Sequence, residues 1–130
     1  MNVIDHVGLR VVNYTRALRF FENALAPLGI ALVMQVTKEE TGGYEGAGFG
    51  RDGKPSFWIS AGGRTTPRLH IAFVADDRAA VNAFFEAALA AGAADNGVPG
   101  VRAHYHPHYY AAFVLDPEGH NIEAVCHKPA

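Results

Sequence analysis

An α+β fold built from two βαβββ modules, with mixed and mostly antiparallel sheets, is predicted by three features of the sequence. The first is an internal repeat. Phe20-Phe21-Glu22-Asn23-Ala24-Leu25-Ala26 reappears as Phe84-Phe85-Glu86-Ala87-Ala88-Leu89-Ala90, 64 residues further on. The same offset carries His6 onto His70, Asn13 onto Asp77, and Val7-Gly8-Leu9 onto Ile71-Ala72-Phe73. The second is periodicity: each half opens with alternating side chains, continues at helical spacing, and closes with short strand-like runs between turn residues. The third is length, since 130 residues suit one domain whose halves share a core.

In the first half, residues 4–12 alternate, with Val7, Leu9 and Val11 on one face and Ile4, His6, Gly8 and Arg10 on the other. Asn13 suits a helix N-cap. Leu18, Phe21, Leu25 and Leu28 follow at helical spacing, and Gly29 ends the helix. Residues 30–37 read as a strand and 39–43 as a polar turn. Residues 44–50 and 56–61 read as two more strands, separated by a turn over 51–55. Module one therefore spans about 1–61, a linker occupies 62–67, and module two spans about 68–130, all within a single domain of 1–130. In module two, 68–75 is a strand and Asp77 caps a helix that Gly92 ends. Strands are expected near 101–106, 109–115 and 121–127, the last two joined by the turn Asp116-Pro117-Glu118-Gly119.

Composition narrows the functional classes. Hydrophobic residues make up 49% of the chain and charged ones 18%, which favours a packed core over disorder. The net charge of −2 and the lack of a basic stripe argue against a nucleic-acid partner. Apolar runs are strand-length and interrupted, so no membrane span is expected. The start of the chain lacks the pattern of a secretory signal, and Cys126 is the single cysteine; a reduced, cytoplasmic setting is the expectation.

Three residues point to chemistry. His6, His70 and Glu123 each interrupt an apolar strand and are expected to project from the sheet face opposite the helices. Glu123 sits inside Ile122-Glu123-Ala124-Val125, where a carboxylate is costly unless paired. For the histidines alone, two hydrogen-bonded core imidazoles are the plainer alternative. Two imidazoles and a carboxylate together form a set that binds a divalent metal and leaves positions open for water, substrate or dioxygen.

The chain resembles the vicinal oxygen chelate superfamily, also called the glyoxalase/bleomycin-resistance/dioxygenase group. The resemblance rests on Ile4-Asp5-His6-Val7-Gly8-Leu9, on Leu69-His70-Ile71-Ala72-Phe73, and above all on the run from Phe113 through Asp116-Pro117-Glu118-Gly119-His120-Asn121-Ile122 to Glu123. It implies a curved sheet around a central metal or ligand cleft, with His6, His70 and Glu123 as ligands of one divalent ion. It also implies a homodimer. The donor set suits iron, manganese, nickel, cobalt and zinc alike. The implied function is a metal-dependent enzyme, most like a dioxygenase, acting on a small substrate that chelates the metal through adjacent oxygens. A glyoxalase-like lyase or isomerase and a thiol transferase are alternatives, as is a drug- or metabolite-binding protein without turnover.

Departures from the family sharpen the choice. Glyoxalase I enzymes take a fourth ligand from the strand matching residues 56–61. The repeat offset sends Glu123 to Ile59, or to Trp58 if one residue has been gained or lost, and neither binds a metal. Fosfomycin-resistance transferases typically carry threonine at the position of Gly8. Extradiol dioxygenases, with His, His and Glu on Fe(II), match the ligand count.

The segment His104-Tyr105-His106-Pro107-His108-Tyr109-Tyr110 admits two readings: a second metal site, or a loop at the cleft mouth, which Pro107 favours. His106, His108, Tyr109 and Tyr110 are candidates for acid–base work there. Trp58 is a candidate for the substrate wall or a filler of the fourth-ligand space, and Arg10 for an anion contact or an edge ion pair. Asp5 is expected opposite His6, and His120 is expected to be exposed in its turn.

Overall fold

The chain enters its first sheet through β1 (Val7–Val11), where Leu9 and Val11 point into the core and Gly8 and Arg10 away from it. The computed structural model describes residues 3–130. Asn13 then caps α1 (Tyr14–Leu25), its side chain accepting the Arg16 N–H at 3.0 Å. A 3-10 turn over Ala26–Leu28 closes on Gly29, whose φ of 74° suits glycine. β2 (Ala31–Val36) follows. The polar stretch expected as a plain turn contains one helical turn, α2 (Lys38–Thr41). Thr37 and Glu40 form its capping box, each side chain bonding the other's backbone N–H. β3 (Gly46–Arg51) and β4 (Lys54–Ala61) meet at Asp52-Gly53. Both residues have positive φ, so the turn is shorter than 51–55.

Module two repeats the plan. β5 (His70–Val74) leads to Asp77, which accepts the Ala80 N–H at 2.7 Å and starts α3 (Arg78–Ala90). β6 (Ala94–Val101), β7 (Tyr110–Leu115) and β8 (Asn121–Cys126) complete it. The position of β6 corrects the sequence reading. The strand occupies the segment rich in glycine and proline, not 101–106. It lies at the sheet edge and pairs with β7 alone, with register shifts around Gly97, and an edge tolerates Pro99 in this way. The histidine-rich stretch is the loop between β6 and β7, closed where the Arg102 N–H donates to the Tyr109 carbonyl at 2.7 Å.

The strands form two four-stranded sheets, ordered β1-β4-β3-β2 and β5-β8-β7-β6. The β1/β4 and β5/β8 pairs are parallel and the others antiparallel, which is the mixed, mostly antiparallel arrangement expected. One core runs through both halves: the Phe21 and Phe57 rings lie 5.0 Å apart and those of Phe57 and Phe73 5.2 Å, each edge to face. Polar contacts add to the seam. The Arg51 guanidinium donates to the carbonyls of Leu28 and Val74, both at 2.6 Å. The Glu118 carboxylate accepts the N–H groups of Val12 and Asn13 at 2.9 and 3.0 Å. The helices cover one face of each sheet. The other faces carry Gly8, Arg10 and Trp58 in the first sheet, and His70, Ala72 and Glu123 in the second.

Candidate metal centre

Glu123 lies mid-strand in β8, between Ile122 and Ala124, which point into the core; its own carboxylate leaves the opposite face. It is 1% exposed. β5 runs parallel alongside in the register Ala72↔Glu123, and this places His70 one step away. His70 Nε2 stands 2.7 Å from Glu123 Oε1. The Tyr109 hydroxyl donates to Oε2 at 2.5 Å. Burial, together with the carboxylate beside it, raises the Tyr109 phenol above its ordinary value, so it stays a proton donor. Among the described residues no lysine or arginine comes within ion-pair distance of Glu123. A buried carboxylate facing an imidazole and a phenol, with no permanent cation, is a site whose charge a metal ion would balance.

His6 is not gathered with this pair. Its imidazole is 59% exposed, with Nδ1 2.7 Å from Asp5 Oδ2, and Asp5 in turn binds Lys54 Nζ at 2.9 Å. Asp5 therefore meets His6, where opposite faces were expected, because residues 3–6 precede β1 and do not follow its alternation. The His6 hydrogen bond and the Lys54 ammonium hold the Asp5 carboxyl below its usual range. Among the described residues no three His, Cys, Asp or Glu side chains converge as a metal site. His70 and Glu123 thus fit two positions of a His-His-carboxylate set within one chain. An open cleft of about 510 Å³ reaches His70 and is lined among others by Ile4, Val7, Lys54, Ser56 and Ala72.

Of the four acid–base candidates, Tyr109 alone touches the pair. His106 Nε2 faces His127 Nδ1 at 2.6 Å, and His106 Nδ1 accepts the His108 N–H at 3.0 Å. His108 thus contributes its backbone. The Tyr110 hydroxyl turns away to Asn82 Oδ1 at 2.6 Å, with Arg78 over its ring. His127 was missed by sequence reasoning. The signal was the two-residue period of β8, which puts residue 127 on the face of Glu123. His120 is buried, not exposed. Asp116 Oδ1 accepts the N–H groups of Glu118 and His120, folding the turn inward, and His120 Nδ1 then accepts the Leu69 N–H at 3.0 Å.

Strand register resolves the position equivalent to Glu123. In module two the row across the sheet is Ala72, Glu123, Phe113; in module one it is Gly8, Trp58, Gly48. Trp58 therefore stands where a second carboxylate would stand, and Ile59 is buried in the core. The repeat has shifted by one residue between β1 and β4.

Residues 3–124 match the family model of the Glyoxalase/Bleomycin resistance protein/Dioxygenase superfamily. The chain belongs to this superfamily. Its fold is similar to that of a glyoxalase/bleomycin resistance protein from Albidiferax ferrireducens T118, with a TM-score of 0.74 at 24% identity over 98% of this chain and 100% of that one. It is similar to a mutant of glyoxalase I from Zea mays, with a TM-score of 0.71 at 20% identity; 98% of this chain is covered but 45% of the maize chain. It is also similar to the fosfomycin resistance protein FosX from Listeria monocytogenes complexed with Mn(II) and sulfate, with a TM-score of 0.67 at 17% identity over 97% and 93% of the two chains. No curated protein matches the chain. No helix among the described residues is long and apolar enough to cross a membrane.

Proposed function

We propose that the protein is a divalent-metal-dependent enzyme, dioxygenase-like in its donor set, that acts on a small substrate chelating through two adjacent oxygens. The observation that carries this is the buried Glu123 carboxylate beside His70 and Tyr109, with no permanent cation to balance it among the described residues. His70 and Glu123 would hold the ion together with His6 of a second copy of the chain, since His6 is exposed and stands apart from the pair in its own chain. The FosX structure with Mn(II) supports a divalent ion on this fold. When bound, the metal would supply Lewis acidity and a template for the substrate oxygens. Around it, Tyr109 fixes the Glu123 carboxylate by donating to Oε2. Trp58, standing in the register position of Glu123, leaves no fourth protein ligand; this favours a dioxygenase-like site over a glyoxalase-like one.

A shared site is tested by complementation. His6→Ala and Glu123→Ala chains, each unable to hold the ion tightly alone, are co-refolded. A mixed dimer then carries one intact and one doubly damaged site. Metal retained by the mixture, and by neither variant alone, supports the reading; no recovery refutes a site shared between chains. A second reading, a binding protein without turnover, draws on the separation of His6 from the pair within one chain. Tight ligand binding by a protein that takes up no metal would favour it.

A further inference from the structure

The sheet is cut away around Trp58. Its neighbours in register are Gly8 on β1 and Gly48 on β3. The indole lies over Gly48, where an added Cβ would come within 2.9 Å of its Cε2 and Cζ2 atoms. Past Gly48 the row ends at Met34, which is half exposed. On the other side, a Cβ added to Gly8 would meet nothing within 4 Å. One flank of the indole is filled and the other is open down to the backbone. Glycine weakens a strand, and the open space over Gly8 beside a large aromatic leaves room for a ligand to approach the backbone closely.

Arg10 borders the opening. It shares the face of Gly8, two residues or about 7 Å further along the strand. Its backbone is pinned, because its N–H donates to Thr65 Oγ1 at 2.9 Å and its carbonyl accepts from the same hydroxyl at 3.0 Å. Among the described residues its guanidinium makes one long hydrogen bond, 3.5 Å to the Gly62 carbonyl. Among the described residues no carboxylate lies within ion-pair distance of it. The edge ion pair considered from the sequence is not formed, and the guanidinium keeps its planar set of donors for a ligand.

We propose that this face binds planar aromatic anions, with the ring seated over Gly8 against Trp58 and the anionic group on Arg10. The indole supplies stacking area, Gly8 the room, and Arg10 a charge-assisted, two-pronged contact suited to a carboxylate. The inference rests on the function proposed above only for taking the bound molecule as substrate; binding itself needs no metal.

Trp58 is the one tryptophan, so fluorescence excited selectively at tryptophan, beyond the absorption of the five tyrosines, reports on this face. The probe is 4-nitrobenzoate. Nitrobenzene, planar and neutral, and cyclohexanecarboxylate, anionic and not planar, are the controls, with calorimetry for the non-quenching control. Saturable quenching by 4-nitrobenzoate is expected, with each control binding at least about ten-fold more weakly, equivalent to about 1.4 kcal/mol. Gly8→Val, which suits a strand and fills the opening, and Arg10→Ala, which leaves the strand backbone unchanged, should each weaken binding by about ten-fold or more. Circular dichroism verifies that both variants fold. Quenching that rises without saturation, equal affinity for the three probes, or unchanged binding by folded Gly8→Val overturns the proposal. Metal content is measured on the same samples. A protein that binds 4-nitrobenzoate but no metal keeps this inference and loses the metal-dependent one. A protein that binds metal but quenches without saturation loses this inference alone.

Discussion

Replacing Tyr109 by Phe removes one atom from the candidate centre and leaves its shape. The hydroxyl donates to Glu123 Oε2, and Glu123 is 1% exposed, so water cannot readily replace the lost donor. A hydrogen bond to a charged group contributes about 1.5–3 kcal/mol, and a buried acceptor left without its donor bears that cost. For 130 residues the unfolding entropy is about 0.27 kcal/mol/K, so the melting temperature should fall by about 5–11 °C. The loss should appear in metal-free protein and shrink with saturating divalent metal, because a cation on the carboxylate supplies the interaction the phenol gave. Tyr110→Phe is the control: its hydroxyl bonds exposed Asn82, and its loss should be within about 0.5 kcal/mol. Urea unfolding with chelator, and again with metal, measures all four values. A Tyr109→Phe loss below about 0.5 kcal/mol in chelator, or one that metal leaves unchanged, refutes the reasoning.

Other consequences are simpler to state. Phe57→Ala should cost about 3–5 kcal/mol in urea unfolding, since its ring meets Phe21 and Phe73 across the joint core; a loss near 1 kcal/mol would mean the halves do not depend on that contact. Tyr109 holds its proton more tightly in the folded protein than in the unfolded chain. Its contribution to stability is therefore full below about pH 10 and is lost as pH rises toward the raised folded value. Spectrophotometric titration of the metal-free protein to about pH 11, one unit above the ordinary tyrosine value, should leave one tyrosine un-ionised, and Tyr109→Phe should abolish that deficit.

The outline of the fold was readable because two periodic signals agree at each element. The Phe-Phe pairs, the caps Asn13 and Asp77, and the stop at Gly29 mark the helices by local chemistry. β6 escaped because an edge strand is held by its partner β7 and needs no β-forming residues of its own. α2 was hidden in a polar stretch whose capping box, Thr37 with Glu40, was there to be read. At the site, alternation placed His70 and Glu123 on one face. It failed for Asp5 and His6, which lie ahead of the paired strand. Nothing local could single out Tyr109 from its neighbours, because its approach to Glu123 depends on how the loop closes at Arg102. The place of Trp58 opposite Glu123 in the repeat needed the strand register, which a one-residue shift conceals in the sequence.

The central claim is that Glu123 would hold a divalent ion together with His70. Elemental analysis of protein purified anaerobically and reloaded with a single metal tests it most directly. One tightly held ion per chain, lost in Glu123→Ala but retained in folded Tyr110→Phe, is the predicted result. No ion in the unaltered protein, or full occupancy in Glu123→Ala, contradicts it.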